Sequence, residues 1–147
     1  MSPEKSLAAA EPTTAFIDTN LLIRYFVKDD TAHARAVHRL IERAARGEVS
    51  LVVAPVVLAE ITWVLESHFS LSLDTIADYL EAILQTPGLE VLQAEVLSEA
   101  VRIYRRTRID FVDAWIAALA KSHEVSRVYT FDRRHFARAP GLEVLTP

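Results

Sequence analysis

The stretch AFIDTNLLIRYFV, residues 15–27, places a single aspartate, Asp18, in an otherwise largely apolar run. A buried carboxylate without a partner is energetically costly, so we expect Asp18 to be paired, hydrogen-bonded or bound to a cation. Residues 15–17 have the pattern of a short buried strand, and Asn20 is a suitable N-cap for a helix that begins at Leu21. The stretch therefore predicts a strand that ends at an acidic side chain and is followed by a helix.

The composition indicates one compact, helix-rich domain. The chain has 147 residues, of which 51% are hydrophobic, 24% are charged and only 3 are glycine, which excludes a disordered or low-complexity protein. Because there is no cysteine, disulfides, zinc-thiolate sites and thiol nucleophiles are excluded as well. Any metal must be bound by oxygen or imidazole, which makes Mg²⁺ or Mn²⁺ the natural candidate.

The apolar runs and the N-terminus of the chain suggest a cytoplasmic location. No apolar run approaches the length of a membrane span, and the N-terminus lacks the apolar core of a signal peptide. We expect residues 1–14 to form a flexible N-terminal extension and residues 15–147 to form the domain. The net charge of -4 argues against a polyanionic partner in general, but the 16 lysines and arginines are unevenly distributed.

Short apolar runs alternate with helical patterns along the rest of the chain. Strands are predicted at residues 15–17, 51–54, 89–92, 128–131 and 143–145. Helices are predicted at residues 21–27, 31–46, 55–67, 74–85, 95–106 and 111–123. This alternation predicts a three-layer α/β domain, with a central parallel sheet of four to five strands flanked by helices.

Four acidic residues fall at one edge of this predicted sheet. Asp18 and Asp132 follow the first and fourth strands, and the carboxyl ends of parallel strands meet at the same edge. Glu60 and Asp113 lie near the starts of helices, which run antiparallel to the strands and so begin at that edge. Because the residues at helical spacing from Glu60 are apolar, we expect its carboxylate on the inward face of its helix.

A cluster of carboxylates requires a counter-charge, because neighbouring negative charges raise one another's pKa. A divalent cation removes the repulsion, and Mg²⁺ prefers a few carboxylates together with water and phosphate ligands. Such a site supports metal-assisted hydrolysis of a phosphodiester.

Four segments carry a resemblance to a known family. They are FIDTNLLI (residues 16–23), APVVLAEITWVL (54–65), DFVDAWIAALA (110–120) and YTFDRRHF (129–136). In this order they resemble the PIN domain nucleases, and most closely the VapC-type toxins of bacterial and archaeal toxin-antitoxin pairs. The resemblance implies a PIN fold and a Mg²⁺- or Mn²⁺-dependent endoribonuclease that is a homodimer and is inhibited by a cognate VapB-like antitoxin.

The resemblance also implies roles for individual residues. Asp18, Glu60, Asp113 and Asp132 correspond to the acidic quartet that binds the metal and catalyses the reaction, and Asn20 and Thr130 correspond to supporting polar residues. The chain departs from the family pattern in its N-terminal extension and in Asp110, which some members carry as an additional acid.

Each acid also has a simpler structural explanation. Asp18 or Asn20 could cap the following helix, and Asp132 could be a turn residue that caps RRHFA. For Asp110 we favour an N-cap, with Asp113 as the third helical residue. Glu60 has no capping role, since it lies inside its helix. The five histidines show no spacing typical of metal ligands.

Arginines flank two of the acids. Arg105, Arg106 and Arg108 precede Asp113, and Arg133 and Arg134 directly follow Asp132. Such a ring could bind the RNA backbone on either side of the cleavage site. Stabilisation of helix ends by the macrodipole is the alternative for these residues.

Two further functions remain open. In a haloacid-dehalogenase-like phosphatase the aspartate after the first strand would be the nucleophile, but that chemistry needs a second acid where this chain has Asn20. The other alternative is a catalytically silent PIN-like module that binds RNA or protein.

Overall fold

The computed structural model describes residues 12–27 and 31–147. Most of the predicted N-terminal extension, residues 1–11, lies outside this range. The first strand begins at Thr13, two residues before the predicted start of the domain.

Short strands alternate with helices along the described chain. The strands are β1 (Thr13–Ile17), β2 (Val49–Val53), β3 (Leu89–Val91), β4 (Arg127–Tyr129) and β5 (Glu143–Leu145). The helices are α1 (Thr19–Phe26), α2 (Ala32–Ala45), α3 (Pro55–Ser67), α4 (Leu73–Gln85), α5 (Ala94–Thr107), α6 (Phe111–Ser122) and α7 (Arg133–Arg138). The predicted elements are all present, with boundaries shifted by at most two residues, and α7 is an additional helix.

Local sequence signals explain where several helices begin. The Thr31 side chain accepts a hydrogen bond from the backbone N–H of Ala34 and caps α2, and Ser72 caps α4 through the N–H of Thr75. Pro55 occupies the first turn of α3, where its missing N–H has no intrahelical partner to lose.

The main sheet is parallel, with the strand order β1-β2-β3. Ile17 pairs with Val53, and Val53 pairs with Val91, so all three strands end at the same edge. β2 is the central strand, and Leu51 and Val53 are buried in the core, as expected for an apolar strand covered by other elements.

The prediction of one sheet of four to five strands is wrong, because the central sheet has three. β4 and β5 form a separate parallel pair, in which Arg127 lies opposite Glu143. β1 is therefore an edge strand, and Phe16 on it is 67% exposed. The alternation of strands and helices predicts parallel strands but does not specify which strands pair, because pairing depends on contacts between distant parts of the chain.

The helices pack on the sheet and on one another. α2 packs against β2 and β3, α3 contacts both α1 and α4, and the most extensive helix pair is α5 with α6. None of the helices in the described ranges has both the length and the apolar character that a membrane span requires.

Gly88 is the one of the three glycines at which an added side chain would overlap with other atoms. Its φ is +89°, and a Cβ atom there would lie 2.5 Å from the carbonyl carbon of Ala44 at the end of α2. Gly47 has a similar φ of +78°, but a Cβ atom there would have nothing within 4 Å. Substitution of Gly47 therefore tests backbone strain alone, whereas substitution of Gly88 tests strain together with steric overlap.

We predict that Gly47→Ala lowers the free energy of unfolding by about 1 kcal/mol, the approximate cost of the left-handed conformation. Gly88→Ala should cost about 1–3 kcal/mol more, because the backbone of α2 must also move. Urea denaturation of both variants measures the difference. Equal losses of stability would contradict the close approach of Gly88 to α2.

Candidate metal centre

Asp18 lies directly after β1 and caps α1. Its Oδ1 accepts a hydrogen bond from the backbone N–H of Leu21 at 3.1 Å. The expectation that Asn20 is the N-cap is therefore wrong, because α1 already begins at Thr19 with Asp18 as its cap. Asn20 lies in the first turn with an exposed side chain, beside a cavity of about 350 Å³ that Asp18 and His33 also line.

Glu60 is in the second turn of α3, and its carboxylate accepts a hydrogen bond from a residue of α1. Glu60 Oε2 accepts a hydrogen bond of 2.8 Å from the hydroxyl of Thr19, whose side chain is buried. Thr19 and Glu60 are 41 positions apart in the sequence, so this bond places Glu60 next to the residue that follows Asp18.

The expectation that Glu60 faces inward is wrong, because the residue is exposed. Val56 and Trp63 lie on the same stripe of α3 and are 61% and 62% exposed, whereas Leu58 and Ile61 are buried. Since α3 is apolar around most of its circumference, its sequence pattern does not identify a single inward face.

Asp113 is half-buried in the first turn of α6. The N-cap of this helix is Asp110, whose Oδ1 accepts a hydrogen bond from the N–H of Val112 at 3.0 Å, so the capping interpretation of Asp110 is confirmed. The carboxylate of Asp113 lies 2.8 Å from Nδ1 of His135, which is on α7.

Asp132 immediately precedes α7, but its side chain does not cap the helix. Its backbone N–H donates a hydrogen bond of 2.9 Å to the hydroxyl of Thr130. Its Oδ2 lies 3.5 Å from Nδ1 of His135. The interpretation of Asp132 as a side-chain cap is therefore wrong, and the carboxylate points to the same imidazole as Asp113.

Asp113, Asp132 and His135 form a compact cluster of potential metal ligands. One donor atom from each lies within 4.8 Å of the other two. Within residues 12–27 and 31–147, no other three histidine, aspartate or glutamate side chains come this close together. Asp18 and Glu60 lie outside this cluster.

His135 is the residue of this cluster that the sequence did not indicate. A search for histidines spaced like metal ligands fails here, because the partners of His135 are carboxylates and one of them is distant in sequence. The available signal was its position three residues after Asp132 at the start of a helix, where residues i and i+3 share a face.

The predicted RNA-binding arginines occupy two different environments. Arg105 contacts Asp78 at 2.8 Å and Glu81 at 3.1 Å, and Arg108 contacts Asp74 at 3.0 Å. These ion pairs connect α5 to α4, and the hydrogen bond to Asp78 raises the pKa of Arg105 above its usual value.

The other predicted arginines have exposed side chains. Arg133 donates a hydrogen bond of 2.9 Å to the hydroxyl of Thr146, and Arg134 and Arg106 are exposed. Arg133 and Arg134 directly follow Asp132 in the chain and belong to the same helix as His135.

Comparison with known families adds an independent observation. The profile of the PIN domain matches residues 15–142, a range that contains Asp18, Glu60, Asp113 and Asp132. No curated protein matches the chain.

The ion pairs of Arg105 predict a structural effect of its removal. Arg105→Met should lower the free energy of unfolding by up to about 1 kcal/mol, because it leaves Asp78 and Glu81 without their partner. The loss should shrink at high salt, which screens exposed charges. Arg106→Met is the matched control and should leave stability unchanged in the same denaturation experiment. Identical effects of the two substitutions would show that these ion pairs do not stabilise the protein.

Proposed function

The chain belongs to the PIN domain family, and from this premise we propose that it is a divalent-metal-dependent endoribonuclease of the VapC toxin type. PIN domains are typically metal-dependent nucleases that act on RNA. The observation that carries the proposal for this chain is the convergence of Asp113 and Asp132 on one point at the start of α6 and α7.

The chemistry of the donor set fits Mg²⁺ or Mn²⁺, since carboxylate oxygens are the ligands that these ions prefer. Asp113 and Asp132 would bind the ion, and Asp18 and Glu60 would complete the acidic quartet directly or through water. When bound, the cation would neutralise charge on the phosphodiester and activate a water molecule for hydrolysis.

Polar neighbours would orient these carboxylates. The Thr19 hydroxyl donates to Glu60 and fixes one of its oxygens, and the Thr130 hydroxyl holds the backbone of Asp132. Asn20 would add a further polar contact beside Asp18. Groups that orient metal ligands in this way contribute strongly to metal affinity.

Binding of the RNA backbone would rely mainly on Arg133, Arg134 and Arg106. Their exposed guanidinium groups can reach phosphates, and two of them follow Asp132 directly. Arg105 and Arg108 contribute less to this proposal, because acidic side chains of α4 already engage them. The local positive charge would offset the net charge of -4.

Protein partners would use the hairpin of α3 and α4. Trp63, Val56 and Phe69 expose apolar surface there, as expected at protein interfaces. We propose that this hairpin serves the homodimer and the cognate VapB-like antitoxin. The site of action would be the cytoplasm.

The direct test is an RNA-cleavage assay with the purified full chain. We expect cleavage with Mn²⁺ or Mg²⁺ and complete loss of cleavage with EDTA, because in this proposal the bound cation activates the attacking water and neutralises charge on the phosphodiester. Metal-independent cleavage, or no cleavage with either ion, would refute the proposal. Release of phosphate from small monoesters without RNA cleavage would instead indicate a phosphatase.

Glu60→Gln tests whether Glu60, which lies outside the cluster of Asp113, Asp132 and His135, contributes to catalysis. We expect Glu60→Gln to lower the rate of RNA cleavage by about a hundredfold or more, which is the range found when a single catalytic contact is removed. Folding should be retained, since the glutamine carbonyl can still accept the hydrogen bond from Thr19.

The matched control is Glu95→Gln, which alters an exposed glutamate on α5 and should cleave RNA as the unmodified protein does. Circular dichroism and thermal unfolding would verify the fold of both variants. Full activity of Glu60→Gln would remove Glu60 from the proposed catalytic site.

A further inference from the structure

His135 lies between the two carboxylates of the cluster and has no role in the acidic quartet. Its Nδ1 is 2.8 Å from Asp113 Oδ2 and 3.5 Å from Asp132 Oδ2, and its side chain is 36% exposed. The imidazole is therefore in contact with both acids and accessible to solvent.

The spacing of these atoms is that of ligands on a single ion. Adjacent ligand atoms of a six-coordinate cation with bonds of roughly 2.1 Å lie about 3 Å apart. The two nitrogen–oxygen distances, 2.8 and 3.5 Å, bracket this value. A cation could thus be bound by all three side chains after small adjustments.

The present contact also has a specific chemical meaning. At 2.8 Å, a hydrogen must lie between Nδ1 and the Asp113 oxygen, because two acceptors at this distance would repel each other. A bound cation would use the Nδ1 lone pair instead, and the neutral imidazole would then carry its hydrogen on Nε2. His135 accordingly lies where its Nδ1 can act as a third ligand beside the two carboxylates.

The type of donor atom determines which ion the site binds more tightly. Mg²⁺ takes oxygen ligands almost exclusively, whereas Mn²⁺ accepts the same carboxylates and, as a first-row transition ion, an imidazole nitrogen as well. We propose that His135 is a direct metal ligand and that it makes the site selective for Mn²⁺ over Mg²⁺. The inference rests on the proposed function, because it assigns a further ligand to the same metal site.

Metal binding to the full chain without RNA tests this role. Mn²⁺ affinity would be measured by electron paramagnetic resonance, and Mg²⁺ affinity would be measured by competition. We expect His135→Ala to weaken Mn²⁺ binding by about tenfold or more and to leave Mg²⁺ binding within about twofold. Pulsed measurements on bound Mn²⁺ should show coupling to a coordinated nitrogen in the unmodified protein and no coupling in the variant.

Two further variants separate ligation from positioning. His135→Asn keeps a hydrogen-bond donor near Asp113 but removes the imidazole, so it should not restore Mn²⁺ affinity. Full restoration by asparagine, or an equal loss of both metals in His135→Ala, would overturn the proposal. His123→Ala, at an exposed position after α6, is the control and should bind both ions normally.

The outcome does not depend on the stability of the variants or on the nuclease assay. If His135→Ala does not fold, the absence of a nitrogen signal from the unmodified protein still overturns the proposal, and its presence supports a histidine ligand. Metal-dependent RNA cleavage without any nitrogen coupling would overturn the role of His135 alone. Nitrogen coupling without RNA cleavage would overturn the proposed function and support His135 as a ligand.

Discussion

The parallel pairing of β1, β2 and β3 is the constraint on which the part of the candidate site formed by Asp18 and Glu60 depends. In a parallel sheet the carboxyl ends of all strands lie at one edge, and helices that follow the strands begin there. Asp18 caps the helix after β1, and Glu60 lies in the second turn of the helix after β2. The hydrogen bond from Thr19 to Glu60 follows from this arrangement, because β1 and β2 pair side by side and the helices after them, α1 and α3, contact each other.

Each of three acids of the site has a hydrogen-bond partner within the protein. Asp18 accepts a backbone N–H from Leu21, Glu60 accepts a hydroxyl, and Asp113 contacts an imidazole. The acids are also more exposed than the sequence pattern suggests, so water reduces their mutual repulsion. The positions of these carboxylates are therefore set by contacts within the protein.

Arginines of similar sequence context have different structural roles. Arg105 and Arg108 form ion pairs that join α5 to α4, whereas Arg133 and Arg134 lie on α7 beside the cluster of Asp132 and His135. A guanidinium group that already contacts two carboxylates has fewer N–H donors for a phosphate, and the neighbouring negative charges repel the phosphate. The acidic residues of α4 thus distinguish arginines that stabilise the fold from arginines available to a polyanion.

The sequence by itself determined the α/β class and the order of the five strands and of helices α1 to α6, and it predicted four acids for the site. These features follow from local signals: the periodicity of apolar residues, the helix caps and the position of acids directly after strands. The PIN domain assignment rests on the same segments, and the family profile that matches residues 15–142 supports it.

Only the tertiary structure decided which strands pair, which face of α3 is exposed and which residues surround each acid. β4 pairs with β5 rather than with the main sheet, and His135 joins Asp113 across 22 positions of sequence. The physical reason is that local patterns fix the conformation of a segment, whereas strand partners and ligand clusters depend on packing between segments that are far apart in the chain.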